Sequence, residues 1–248
     1  MNKHLLPLLL LCLTLLPIEL CSQSRSAIIK YQGVINEKYV DSFVKALEAD
    51  KDMSMHSKQR VTNFYRSAKP EEFYLHIQNH ESYYFTDFSL KVEGEHNVGS
   101  LASNDYYYTN SKASTVIMQN ETLGNVLFMP EKHWEITDEV KMIGDYRCVQ
   151  AIPVYKRYNA MTDSYYYKKG AKVWFTPDIP LSFGPAQYKG LPGLILQIEH
   201  RRYTLTAIHI DLNPDEADLK INRVDENERI ISFQEMINRQ KEMRKNRY

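Results

Sequence analysis

Cysteine is scarce: the chain has three in 248 residues, and two of them, Cys12 and Cys21, lie in its first 21 positions. Cys148 is alone in the remainder, so counting excludes a disulfide framework. With no cysteine pair and no HExxH, and with His76 and His80 at i, i+4 on an expected strand and turn, the pattern argues against a zinc centre. Net charge is also missing, because 31 basic residues cancel 31 acidic ones. Nothing suggests the basic footprint of a nucleic-acid binder. Beyond the first twenty residues no apolar run reaches the roughly 20 residues of a membrane-spanning helix. Glycine is sparse too, nine in all, yet Gly184, Gly190 and Gly193 fall close together.

The first residues bear on the compartment. Lys3 and His4 precede a run from Leu5 to Leu16 that is apolar except for Thr14 and broken only by Pro7. A basic start and a short apolar core describe a secretory signal. Cys21 raises lipid attachment, but Glu19 and Leu20 stand where such a site needs small residues, so cleavage after Ser22 is expected. This gives a signal peptide at 1–22 and one domain at 23–248, exported to the periplasm or the cell surface. About 225 residues remain, enough to bury a sizeable core.

Eighteen tyrosines are present, clustered in "SYYF" (82–85), "DYYYTN" (105–110) and "SYYYKK" (164–169). Tyrosine suits strands, with a broad ring for the sheet face and a hydroxyl for water. "SAIIKYQGVI" (26–35) and "EFYLHIQ" (72–78) read as strands, the second alternating between faces. In "KYVDSFVKALEAD" (38–50), Val40, Phe43, Val44 and Leu47 recur at helical spacing. A second helix is expected over 57–67 and a basic one over 233–248. The acidic run 213–218 is expected to be a loop.

"FGPAQYKGLPGLILQIE" (183–199) has the densest punctuation. Pro192-Gly193 predicts a type II turn, flanked by Leu191 and Leu194. After it Leu194, Leu196 and Ile198 project to one face and Ile195, Gln197 and Glu199 to the other, a half-buried strand. A phosphate cradle does not fit: the glycines lack dinucleotide spacing and the next element is a strand.

"GLPGLI" (190–195), "WEITDEVKMIGDYRCVQA" (134–151) and "VWFTPDIPLSFGP" (173–185) together resemble the GLPGLI family, exported proteins found chiefly in Bacteroidota. Gln150 stands where that family often has lysine. The resemblance spans about 134–199 and implies no established activity. The order of strands and proline turn around Trp174 and Leu194 is also similar to the curved antiparallel sheets of lipoprotein-carrier proteins, an analogy that carries no function.

Several residue sets could carry chemistry. Cys148 with one of His76, His80, His133, His200 or His209 could form a nucleophile and base, although "YRCVQ" alternates as a strand without a glycine-rich elbow. Met53, Met55 and His56 offer two thioethers and an imidazole, a donor set suited to Cu(I). The acid pairs Glu71/Glu72 and Asp215/Glu216 read as solvated loop charges. The tyrosine triplets 106–108 and 165–167 could form an aromatic platform or simply cover a sheet. The expectation is a β-rich α+β domain, a curved antiparallel sheet with helices on one face. It should bind without catalysing, with an apolar ligand or an envelope or outer-membrane protein as partner. Copper binding by Met53, Met55 and His56 and a thiol enzyme using Cys148 are the alternatives. No catalytic or cofactor-binding residue is assigned. Trp134, Trp174, Gly184, Pro185, Gly190, Leu191, Pro192, Gly193, Leu194 and Ile195 form the structural motif.

Overall fold

The computed structural model describes residues 25–86, 105–128, 132–159, 164–225, 227–236 and 238–239. The expected signal peptide, Cys21 and the last turns of the expected C-terminal helix lie outside them.

Alternating sequence becomes strand almost wherever it occurs. β1 (Ser26–Ile35) is followed by two helices, α1 (Glu37–Ala49) and α2 (Met55–Arg66). Then come β2 (Glu71–Gln78), β3 (Glu81–Phe85), β4 (Tyr106–Asn110), β5 (Thr115–Asn120) and β6 (Gly124–Leu127). The long hairpin of β7 (Lys132–Ile143) and β8 (Tyr146–Asn159) turns at Gly144, whose φ of 56° favours glycine. β9 (Ser164–Lys169), β10 (Lys172–Thr176), β11 (Leu194–Glu199), β12 (Tyr203–Asp211) and β13 (Ile230–Ser232) complete the set. The acidic run expected as a loop carries one short 3-10 turn, Glu216–Asp218.

The strands form one large open sheet in the order β13-β6-β5-β4-β3-β2-β1-β12-β11-β10-β8-β7, with β9 beside β8. All neighbours are antiparallel except β13 and β6. The sheet is strongly curved. Lys132 of β7, at one end, donates to the Gln187 carbonyl at 3.0 Å. Lys189, two residues along the same loop, donates to the Thr115 carbonyl of β5, near the other end, at 3.5 Å. One loop therefore reaches both ends of the sheet.

Alternation sorts the side chains of β2–β5 into two cores. Phe73, Leu75, Ile77, Tyr84, Tyr107, Val116 and Met118 join the main cluster on the inner face. Tyr83, Phe85, Tyr108 and Ile117 form a second cluster on the outer face, against Ile221 and Val224 of the chain after β12. That chain is a strap. The Lys220 N–H donates to His76 Nδ1 at 2.8 Å, and Arg223 grips Glu81 through three hydrogen bonds of 2.6–3.1 Å.

The helices begin at side-chain caps: Asn36 accepts from the Lys38 N–H and Ser54 from the Ser57 N–H. α1 buries Val40, Val44 and Leu47, one helical stripe. It meets α2 through Phe43 and Tyr65, whose ring centroids are 4.7 Å apart. Both helices lie outside the two strand cores. The Asn36 N–H donates to the Arg202 carbonyl at 2.9 Å, which anchors the pair beside the β11–β12 turn.

Candidate functional site

The loop between β10 and β11 is an internal filler. Ile179, Leu181, Phe183 and Leu191 are buried in the main core together with residues of β1–β5, β8 and β10–β12. Its backbone bonds hold it down: the Leu194 N–H donates to the Ile179 carbonyl at 3.0 Å and the Ile195 N–H to the Phe183 carbonyl at 3.1 Å. Tyr31, fully buried in β1, donates its hydroxyl to the Ile195 carbonyl at 2.6 Å. The Trp134 indole donates to the Lys189 carbonyl at 3.2 Å, under Lys132 at 5.0 Å from the ring. Burial, and then the neighbouring Lys189 charge, push the Lys132 ammonium down to about 8.

The turn at 192–193 departs from the type II geometry expected of it. Gly193 has φ 158°, and the Leu194 amide bonds across the loop to Ile179. Glycine is required there by close approach: a Cβ would stand 2.0 Å from the Thr176 carbonyl oxygen. Gly190, at φ 89°, takes the positive value instead. A Cβ at Gly184 would lie 2.6 Å from the Ile195 side chain. The alternation expected in β11 breaks at Leu196. Phe175 pairs with Ile195 and Trp174 with Gln197, so Leu196 is bulged out of register. Ile195 and Leu196 are both fully buried, where strict alternation would have parted them.

The residues considered for chemistry are scattered. Cys148 is fully buried in the main core, and burial pushes its thiol up to about 11. Its sulfur lies 3.6 Å from the Tyr146 carbonyl, to which it donates. That environment holds the sulfur as a neutral thiol, a poor nucleophile. Met53 lies in the turn before Ser54. α2 starts two residues earlier than periodicity suggested, because Ser54 caps it, so Met55 and His56 occupy its first turn and are exposed. Among the described residues no three His, Cys, Asp or Glu side chains gather as a metal site. Glu71 is buried and accepts from Thr86 at 3.3 Å, whereas Glu72, next along the strand, meets Lys30 at 3.1 Å and Tyr74. Hydrogen bonding from Lys30 holds the Glu72 carboxyl below the usual range. Asp215 and Glu216 are exposed.

The tyrosine triplet of β9 faces solvent. Tyr165, Tyr166 and Tyr167 are 66, 47 and 66 % exposed. Their strand pairs with the far end of β8 and stands off the main path of the sheet. Basic groups frame it: Lys156 lies 4.6 Å from the Tyr165 ring centroid, Lys168 is exposed, and Lys169 pairs with Glu135 at 2.5 Å. The hairpin presents rings on both faces.

Sequence reasoning missed two polar arrangements. Lys141 lies 4.1 Å over the Trp174 ring and binds Glu199 at 2.6 Å, while the Trp174 indole donates to the same carboxylate at 3.0 Å. The second is His76 beneath the strap, 7 % exposed and pulled by burial to about 4. Their partners are 25 to 144 residues away, so no local signal could have found them.

A family model described as a protein of unknown function (Porph_ging) matches residues 157–197, which include β9, β10, the filler loop and the GLPGLI hexapeptide. The search of curated proteins found no match. Two solved structures titled as PNGF-II, in C2 and P21 space groups, resemble the chain at TM-scores of 0.45 and 0.43 with 12 and 13 % identity. They cover 87 and 86 % of this chain, which spans about a third of their own length, 32 and 33 %.

Proposed function

We propose that this chain is an exported, non-catalytic binding protein of the cell envelope, akin to the GLPGLI family, and that it meets a partner protein through the β8–β9 hairpin. The observation that carries the reading is the exposure of three consecutive tyrosines on a strand outside the sheet's main path. Tyrosine is a common interface anchor, because a large ring with two side-chain torsions adds contact area at low entropic cost. The filler loop favours a partner over an apolar cargo: the concavity that would receive cargo holds Ile179, Leu181, Phe183 and Leu191. Burial of Cys148 supports the non-catalytic side of the reading.

A photo-crosslinking residue at position 166, in the intact protein within its native envelope, should trap one protein reproducibly. The same residue at exposed Lys45 should not trap it, and Tyr165→Ser with Tyr167→Ser should abolish the adduct without lowering thermal stability. An adduct that survives those substitutions, or co-purified lipid in stoichiometric amount, overturns the proposal.

A further inference from the structure

A groove lies where α1 meets the β11–β12 turn. Open and about 560 Å³ in volume, it is lined by Asn36, Lys38, Tyr39, Ser42, Phe43, Ala46 and Arg201, within the usual size range of small-ligand sites. Tyr39, Ser42, Phe43 and Ala46 recur at three and four residues, so they share one flank of α1. Tyr39 and Phe43 stack at 6.0 Å between centroids, and the small side chains of Ser42 and Ala46 leave open space beside the rings.

The charges here are one-sided. Arg201 and Arg202 lie 5.3 and 6.0 Å from the Tyr39 ring centroid. Among the described residues neither has a carboxylate partner. Asp41 is engaged by Arg66 at 3.3 Å, and Glu37 is the acid in the first turn of α1. The turn that carries the arginines is fixed, through Asn36 N–H to the Arg202 carbonyl at 2.9 Å and Arg202 N–H to His200 Nδ1 at 3.3 Å. Burial, then the Arg202 and Arg201 charges, lower the His200 pKa from 6.5. A guanidinium resting on an aromatic ring keeps its donor fork free for a planar anion.

We propose that this groove binds a small organic anion built on a ring, with Arg201 of its lining pairing the carboxylate or phosphate, Arg202 adding its charge from beside the Tyr39 ring, and the Tyr39–Phe43 pair supporting the flat body. Acidic sugars and aromatic carboxylates share that chemistry. Amide chemical shifts of the full mature chain, followed during titration with digalacturonate, digalactose, phenylacetate and inorganic phosphate, separate the two sources. One of the ringed anions should shift residues 36–46 and 200–203 saturably, with digalactose and phosphate at least about tenfold weaker. Arg201→Ala with Arg202→Ala should weaken it at least about tenfold. Ser42→Trp, at an exposed helix position, should block the groove while leaving both arginines. Absence of saturable binding by either ringed anion on the order of 10 mM, equal binding of digalactose, or a Ser42→Trp variant that binds normally overturns the proposal.

Discussion

Two tyrosine triplets, 106–108 in β4 and 165–167 in β9, are alike in sequence and opposite in fate. β4 lies between β3 and β5, Tyr107 enters the inner core, and Tyr108 lies in the outer one beneath the strap. The Tyr108 hydroxyl donates to Glu81, which Arg223 of the strap also holds. In β9 all three side chains are exposed. The difference teaches that a tyrosine run specifies a strand and leaves its covering to chain elsewhere in the sequence.

The contrast can be broken most severely at Gly193, because the loop it anchors packs under the buried triplet. A Cβ there would meet the Thr176 carbonyl carbon at 2.7 Å as well as its oxygen. Gly193→Ala is expected to cost more than about 4 kcal/mol, leaving Tyr107 and Tyr166 amides to exchange with solvent equally fast. A cooperative, wild-type-like melt would contradict this. Next in size, Tyr107→Ala should lower urea stability by about 3 kcal/mol. Tyr166→Ala should change it by less than about 0.5 kcal/mol, and similar losses at the two sites would erase the distinction.

The strap over the outer core predicts a pH dependence. His76 accepts the Lys220 N–H as a neutral imidazole, and burial depresses its pKa from 6.5 to about 4. The unfolded chain therefore takes up the proton first. Stability from this site is complete above about pH 6.5 and falls as pH drops toward 4, by up to about 3 kcal/mol. Urea midpoints measured from pH 7 to 4 should show the fall, and His76→Gln should flatten it; an unchanged slope would remove the assignment. A smaller loss than at His76 is expected for Arg223→Ala. Its guanidinium is more than half exposed and Glu81 keeps the Tyr108 hydroxyl, so the cost is about 1 kcal/mol, read as faster hydrogen exchange across 219–225 with β9 unaffected.

Much of the fold was legible before any coordinates. The strand at 26–35 and the α1 stripe of Val40, Val44 and Leu47 follow local periodicity. The candidate sites were less legible. Cys148 and the 165–167 tyrosines look equally available in one dimension, yet one is sealed in the core and the others are open. Met55 and His56 read as part of a donor cluster and lie in the first turn of a capped helix. The Leu196 bulge is invisible to alternation, because it depends on how β10 registers against β11.

By itself the sequence determined which segments become strand and helix, since a side chain's preference and its two- or 3.6-residue period are local properties. It also determined that Gly193 carries no side chain. Only the tertiary structure decided that the glycine is needed for contact with Thr176, that the loop before it fills the sheet's concavity, and which tyrosines stay wet. The physical reason is that burial depends on what arrives from far along the chain: the strap over β3 comes from more than a hundred residues away, and no local period encodes that meeting.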